Sequence, residues 1–516
     1  MSAISRLRGS KVVKNSLSAY FSQFSGLVCG VATIPAMVRY LSEEEIAIWV
    51  LASSLSSSMS LFDLGIGDSI GRKVAGAVSA RDQAEINRWW TVSVAVLTCL
   101  ALLILGMGLC IAPWFSGFLN ISGEQASTAN QVFAWMVVIT AVSMLNRGIP
   151  GILVAQERTH LSILPQSLSA WVNLLLLFYL LWLGLGLFAC VLAYAARMLV
   201  IWMFFHIAIR IGPNPPKWDA KGLDLGRIKS LFGFSISFSF TVLVDFALSA
   251  LPPLALAWFG STATVPALAF SGRAPTLLVN VANRTVWAFY PGMLQLQLAG
   301  RVDEMRRKHL RSSLLGFAIA LFVAGGILAF NQCFIALLAG EGFYVGNVTN
   351  AVLAMIVIIT PVSHLFRCFL TLSGSMGKVI PVSLVSTCVA VGLSWLGFRA
   401  FGLAGLLVPL FLPVVALGAY GWFYGIRMCG IPRSSMSLIG VYSALGGCVL
   451  LSLPALIDRL AHTAVHYVDF WGRHVPMPTL AELTLFLICC GISGLILFKL
   501  FKGFREASSP TRMVNV

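Results

Sequence analysis

Charged residues are scarce in this sequence. They make up 10% of 516 residues, whereas hydrophobic residues make up 58%. Soluble domains typically contain about 25% charged residues. This composition excludes an ordinary soluble domain and predicts an all-α polytopic membrane protein, since helices satisfy their own backbone hydrogen bonds in lipid.

Carboxylates are the rarer of the two charges, with 19 Asp and Glu against 35 Lys and Arg, for a net charge of +16. Such an excess can indicate nucleic-acid binding. Here, however, the basic residues cluster between apolar runs, which is the pattern that sets membrane topology. We therefore expect no nucleic-acid partner.

Motifs for cofactor and metal chemistry are also missing. The sequence has no GxxxxGK[ST] phosphate loop, which argues against ATP hydrolysis by this chain. Its eleven cysteines show no CxxC spacing, and most lie in apolar runs as small buried hydrophobes. His462 and His466 have metal-ligand spacing, but no third ligand completes a site in the predicted surface loop Asp458–Glu482. No cofactor, no metal and no enzymatic activity are expected.

Fourteen apolar segments are long enough to cross about 30 Å of hydrocarbon as helices. They are Leu17–Val38, Ile46–Ile70, Trp90–Ala112, Val132–Val154, Leu161–Leu183, Leu187–Ile209, Phe232–Phe259, Val265–Tyr290, Leu314–Leu338, Val348–Leu372, Ile380–Phe398, Leu403–Tyr424, Leu438–Leu456 and Leu483–Leu500. With the N-terminus in the cytoplasm, 26 of the 35 basic residues fall on the cytoplasmic side. Both termini are therefore predicted to be cytoplasmic.

An internal repeat divides the chain. Val137–Arg147 (VVITAVSMLNR) and Val357–Arg367 (VIITPVSHLFR) are identical at seven of eleven positions, at an offset of 220 residues. Because six helices separate equivalent positions, the two copies cross the membrane in the same direction. The repeat predicts two six-helix lobes that share a cavity at their interface.

The predicted domains follow from the repeat and from the Pro-rich stretch that separates its copies. They are an N-terminal lobe (1–211, helices 1–6), a cytoplasmic linker (212–229), a C-terminal lobe (230–428, helices 7–12), and helices 13 and 14 with a cytoplasmic tail (429–516). The final two helices lie outside the repeat and are candidates for contact with a partner or with lipid.

Arginines outnumber carboxylates within the predicted spans. The arginines are Arg147, Arg197, Arg273, Arg284 and Arg367, and the carboxylates are Asp63, Asp68 and Asp245. Charges inside a membrane are costly and usually functional. A guanidinium matches phosphate oxygens and keeps its charge, so we interpret the arginines as a basic ladder for a phosphorylated head group. The alternative is that they pair with the three carboxylates or extend to the membrane interface.

The three carboxylates are candidates for gating or ion coupling. Asp63 is the favoured one, whereas Asp68 lies closer to Arg72 and the membrane interface, where a structural role is favoured. The repeat offset carries Asp63 onto Asn283, so Arg284 is predicted to face Asp63. Prolines within the repeat helices are candidate hinges or static kinks.

Two sequence motifs resemble those of Wzx-type polysaccharide-export flippases, of the multidrug/oligosaccharidyl-lipid/polysaccharide exporter superfamily. The first is Arg39-Tyr40-Leu41-Ser42 before Ile48-Trp49, and the second is Leu61–Gly67 (LFDLGIG) followed by Arg72. The resemblance implies a bacterial inner-membrane protein that moves an undecaprenyl-diphosphate-linked oligosaccharide to the periplasmic leaflet by alternating access. It matches Asp63 and Gly65 to the family motif and implies a polysaccharide polymerase or export machinery as partner.

Three alternatives remain open on the sequence. A drug antiporter of the same superfamily would favour carboxylates over arginines in its cavity. A flippase for lipid-linked peptidoglycan precursors would share the helix count and a basic cavity. A polysaccharide polymerase or ligase would be expected to carry a large external catalytic loop, whereas Asp458–Glu482 is modest in length.

Overall fold

The structure is a computed structural model that describes residues 3–59, 65–123, 125–212, 215–281, 283, 293, 296, 300–372, 379–429, 467–470 and 473–507. The chain divides into two compact units, Met1–Pro266 and Ala267–Val516. Both units are built mainly of apolar helices.

The first unit contains eleven described helices of four residues or more. They are α1 (Ala3–Tyr40), α2 (Glu43–Met59), α3 (Ile66–Ser79), α4 (Gln83–Ile111), α5 (Phe115–Phe118), α6 (Gln125–Met144), α7 (Gly148–Ala155), α8 (Thr159–Trp182), α9 (Leu187–Arg210), α10 (Leu225–Ser249) and α11 (Leu251–Trp258). Helix α8 packs against α1 and α9, α4 packs against α6, and α3 packs against α7.

A short helix, α12 (Val265–Ser271), links the two units in sequence and is followed by helical residues 273–281, called α13 here. The second unit then contains α14 (Val302–Leu338), α15 (Asn347–Leu372), α16 (Val379–Leu407), α17 (Phe411–Cys429) and α18 (Leu480–Ala507), with strands β1 (Tyr467–Phe470) and β2 (Arg473–Pro476). Helix α14 packs against α15 and α18, and α17 packs against α15 and α16.

Seven stretches of the described chain are long and apolar enough to cross a membrane. They are Ser18–Tyr40, Gln83–Phe118, Gln125–Ala155, Thr159–Trp182, Leu187–Arg210, Asp303–Leu338 and Val379–Phe423. The multi-pass helical class is therefore confirmed. The count of fourteen stays a prediction, because the predicted span Leu438–Leu456 lies outside the described residues.

Two spans that the sequence predicts as continuous helices are interrupted. In the second span, α2 ends at Met59 and α3 begins at Ile66 after Gly65, whose φ of 66° is left-handed. In the fourth span, a turn over 145–147 separates α6 from α7. Glycine adopts positive φ without steric cost, and Gly148 together with Pro150 weakens helix continuity after the turn.

The pair Gly-Leu occurs at 186–187 and again at 402–403, an offset of 216 residues that is close to that of the repeat. Gly186 and Gly402 have nearly the same conformation, φ 54° and ψ −137° against φ 60° and ψ −140°. Residues with a side chain rarely adopt this region. Arg147 and Arg367 behave differently, because α15 continues through Arg367 whereas the first copy turns at Arg147.

The predicted linker is bound to the first unit. The Lys217 amide donates to Asn87 Oδ1 at 2.9 Å, and the Asp219 amide donates to Thr91 Oγ1 at 2.8 Å. The Asp219 carboxylate also lies 3.4 Å from Arg88 Nε. Helix α10 begins at Leu225, inside the predicted linker, because Asp224 caps it. Helices α10 and α11 pack with the first unit, which extends to Pro266. The end of the first lobe at residue 211, which was inferred from the repeat, stays a prediction.

The predicted surface loop Asp458–Glu482 contains two short antiparallel strands, and its last residues begin α18. Strands β1 and β2 pair Val468 with Val475 and Asp469 with His474. The Val468–Val475 pair suits a strand, since β-branched residues favour extended backbone. His462 and His466 lie outside the described residues.

Candidate functional site

The backbone that carries Arg147 is held by glycines of α3 and α7. A Cβ on Gly67 would lie 2.6 Å from the Arg147 carbonyl oxygen, and one on Gly71 would lie 3.1 Å from Gly151 Cα. The contact at Gly67 leaves room for hydrogen alone unless the neighbouring backbone moves, and the one at Gly71 is tight. The glycines of the GIGDSIG stretch therefore fix the position of the Arg147 backbone at the interruption between α6 and α7.

Arg147 and Arg197 are both within electrostatic range of the Tyr194 hydroxyl. Tyr194 and Arg197 are three residues apart on α9, so they project from one face of that helix. The indole ring of Trp49, on α2, meets the Tyr194 ring edge to face, with centroids 6.2 Å apart. We call Trp49, Arg147, Tyr194 and Arg197 the arginine site.

The guanidinium of Arg197 is incompletely satisfied. Arg197 is half-buried, and its Nε has no hydrogen-bond partner among the described residues. None of the ion pairs between described side chains includes Arg197. A buried donor without a partner costs about 1–3 kcal/mol, and an anion would satisfy it.

Helices α1 and α8 form the neighbouring wall of this region. Cys29, on α1, lies within electrostatic range of Arg197 and packs with Ala170 and Leu174 of α8. Trp171 Nε1 donates to Ser25 Oγ at 3.1 Å, which joins the same two helices. The contacts that join the two helices near Arg197 are therefore apolar apart from this indole–hydroxyl bond.

The structure brings together two of the five predicted arginines, Arg147 and Arg197. Arg147 is exposed and has interactions with other residues. Arg273, in the second unit, is likewise exposed and has interactions. Arg284 and Asp63 lie outside the described residues, so their predicted pairing stays a prediction.

For three further predicted residues, the structure describes the backbone alone. Arg367 lies in α15, Asp68 in α3 and Asp245 in α10, and the side chains of all three lie outside what the structure describes. Their predicted roles stay predictions.

The stretch Gly67–Gly71 also matches the GxSxG pattern of serine hydrolases, in which a strained turn exposes the serine. Here Ser69 is 3% exposed within α3, and its hydroxyl donates to the Leu231 carbonyl oxygen at 3.3 Å. A buried helical serine bound to a backbone oxygen lacks the exposure of a nucleophile. Ser69 is structural, joining α3 to α10.

Sequence reasoning missed the aromatic half of the site. Tyr194 lies three residues before Arg197, a spacing that places an aromatic ring and a cation on one helix face. That spacing was the available signal. The approach of Trp49 to Tyr194 has no such signal, because it depends on the packing of α2 against α9.

Comparisons with solved structures identify the fold. An inward-facing multidrug resistance MATE family transporter of the MOP superfamily aligns with a TM-score of 0.60 at 16% identity, over 81% of this chain and 98% of its own. An outward-facing structure of a transporter with the same description aligns with a TM-score of 0.62 at 15% identity, over 81% and 95%. The eukaryotic MATE transporter AtDTX14 aligns with a TM-score of 0.67 at 12% identity, over 83% and 99%.

No protein-family model matches the sequence, and no curated protein does either. At these identities the likeness concerns the fold, not the substrate. The chain therefore shares an all-α, multi-pass membrane fold with transporters of the MOP superfamily.

Proposed function

We propose that the protein translocates an undecaprenyl-diphosphate-linked oligosaccharide from the cytoplasmic to the periplasmic leaflet of the bacterial inner membrane, for surface or exopolysaccharide synthesis. The observation that carries the proposal is the arginine site, with two cations beside one tyrosine and a buried Arg197 Nε that lacks a partner in the described chain. A diphosphate supplies several anionic oxygens to such donors.

The proposed cycle is alternating access, in which the diphosphate and sugars enter the protein while the polyprenyl tail stays in lipid. Arg147 and Arg197 hold the diphosphate, and the indole of Trp49 with the ring of Tyr194 borders it. Both termini are proposed to be cytoplasmic, in accord with the bias of basic residues. The proposed partners are the lipid-linked substrate, membrane lipids and the polymerase or export machinery.

A second candidate is a cation-coupled drug antiporter, which the multidrug resistance transporters among the structural neighbours favour. Cationic drugs and coupling protons require carboxylates in the cavity. Among the described side chains, Glu482 is the one buried carboxylate, and it caps α18 by accepting from the Thr479 amide. Asp63, Asp68 and Asp245 are the remaining candidates for coupling.

Transport by the purified protein separates these functions. In proteoliposomes, we expect a fluorescent polyprenyl-diphosphate oligosaccharide to move between leaflets faster than in protein-free vesicles, with no uptake of a cationic dye under a proton or sodium gradient. Gradient-driven dye uptake without movement of the lipid would overturn the proposal in favour of the antiporter. If a lipid-linked peptidoglycan precursor moves between leaflets faster than the oligosaccharide lipid does, the protein is instead a flippase for peptidoglycan precursors.

A further inference from the structure

The linker residues 215–229 expose large apolar side chains that alternate with lysines. The apolar side chains, which are 58%, 48% and 80% exposed in chain order, are Trp218, Leu223 and Leu225. The exposed lysines are Lys217, Lys221 and Lys229. We call these six residues the linker surface. Exposed apolar groups beside cations are typical of segments that lie on a membrane.

The linker surface has a fixed position on the first unit. Asn87 and Thr91 of α4 accept hydrogen bonds from two linker amides, as described above. Gly222 is buried against the same helix, and a Cβ there would lie 2.6 Å from the Arg88 carbonyl oxygen. The linker therefore packs on α4 along its length, and the depth of α4 in the membrane sets the depth of the linker.

Helix α4 is long enough to mark that depth. It begins the apolar stretch Gln83–Phe118, whose 36 residues span about 54 Å as a helix, at 1.5 Å per residue. The hydrocarbon layer is about 30 Å thick, so the ends of this stretch extend into the head-group layers. Its continuous apolar run begins at Trp90. Asn87 and Thr91 flank that residue, and the linker therefore docks where α4 enters the hydrocarbon.

The lysines of the linker surface keep their charge available. The other charged groups of this region pair with one another: Arg227 donates to Glu85, and Arg88 Nε lies 3.4 Å from the Asp219 carboxylate. The guanidinium of Arg227 also lies over the Trp89 ring, 5.3 Å from its centroid. None of the ion pairs between described side chains includes a lysine of the linker surface. Their ammonium groups can therefore bind anions from outside the protein.

The depth and the charge together select the ligand. Phospholipid head groups already occupy the layer in which the linker docks, whereas a soluble protein would have to displace them to reach it. Lysines near an anionic leaflet are attracted to its phosphate groups. Tryptophan is enriched at this level, because its ring is apolar and its N–H is polar.

We propose that the linker surface binds anionic phospholipid in the leaflet that α4 enters at Trp90. The lysines contact the lipid phosphates, and Trp218, Leu223 and Leu225 lie at the boundary between head groups and acyl chains. The bias of basic residues makes this the cytoplasmic leaflet. The site concerns the lipids around the protein and does not depend on which substrate is moved.

Photocrosslinking from the linker surface tests the proposal. The residue p-benzoylphenylalanine replaces Trp218 in the full-length protein, which is reconstituted in nanodiscs of phosphatidylglycerol and phosphatidylcholine in equal amounts and irradiated. Mass spectrometry then identifies the adducts. We expect phosphatidylglycerol adducts to exceed phosphatidylcholine adducts about fivefold or more, since each lysine near an anionic surface contributes about fivefold.

The decisive variant in this background is the triple substitution Lys217→Gln, Lys221→Gln, Lys229→Gln, which should bring the ratio of the two adducts close to one. The matched control replaces the same lysines by arginine, keeps the charge and should keep the preference. Thermal unfolding checks that each variant is folded, and the same probe at Leu225 provides an independent position.

Three results would overturn the proposal. Equal adducts with the two lipids before the lysines are changed would show that the surface does not select anionic lipid. An unchanged ratio in the glutamine variant would show that the lysines do not bind it. Adducts with another protein instead of lipid, when native membranes are irradiated, would assign the surface to a protein partner.

Discussion

Replacing Arg197 by alanine is expected to weaken binding of a polyprenyl diphosphate by about 10- to 100-fold. Charge-assisted hydrogen bonds contribute about 1.5–3 kcal/mol each, and Arg197 brings a buried Nε without a partner in the described chain. The measurement is equilibrium binding of the lipid diphosphate to the full-length protein in detergent. Arg197→Lys should recover part of the affinity, because it keeps the charge but loses the planar pair of donors.

The matched control for charge is Arg399→Ala. Arg399 is exposed and stacks over the Trp395 ring at 4.3 Å from the centroid, so its removal takes away one positive charge far in sequence from the arginine site. The affinity of the Arg399→Ala protein for the lipid diphosphate should equal that of the wild type. Equal affinities for Arg197→Ala and Arg399→Ala would show that Arg197 does not bind the anion.

Gly67→Ala is expected to lower the free energy of unfolding by about 1–3 kcal/mol, as overpacking a tight contact does. The added Cβ would lie 2.6 Å from the Arg147 carbonyl oxygen, so α3 and the 145–147 turn must separate. Because that turn carries Arg147, affinity for the lipid diphosphate should fall as well. Thermal unfolding in detergent and the same binding measurement report the two effects.

Gly76→Ala supplies the control on the same helix, since a Cβ there meets no atom within 4 Å. It should be neutral or slightly stabilising, because alanine favours helix more than glycine does. A Gly67→Ala protein that unfolds at the wild-type temperature and binds with wild-type affinity would contradict the role assigned to this contact. The comparison separates helix propensity from packing.

The sequence predicted the class of fold because hydrophobic length and charge distribution are properties of local segments. Gly186 and Gly402, which the repeat would align, share a backbone conformation that favours glycine, whereas the lobes themselves stay a prediction. The interruption before Arg147 had a local signal in Gly148 and Pro150. The span was still predicted as one continuous helix, because the prediction used only the length of the apolar run.

What the sequence did not predict depends on packing between distant segments. The contact of Trp49 with Tyr194 spans 145 residues, and no pattern within either segment specifies it.

The docking of the linker onto α4 bears on the order in which the protein is made. The Lys217 amide bonds to Asn87, 130 residues earlier, and the residues from Met1 to Pro266 form a compact unit of their own. Chains emerge from the ribosome N-terminus first, and domains generally fold as units. The first unit can thus complete its packing, with α10 against α3 and α4 and α11 against α2, while the second half of the chain is still being synthesised.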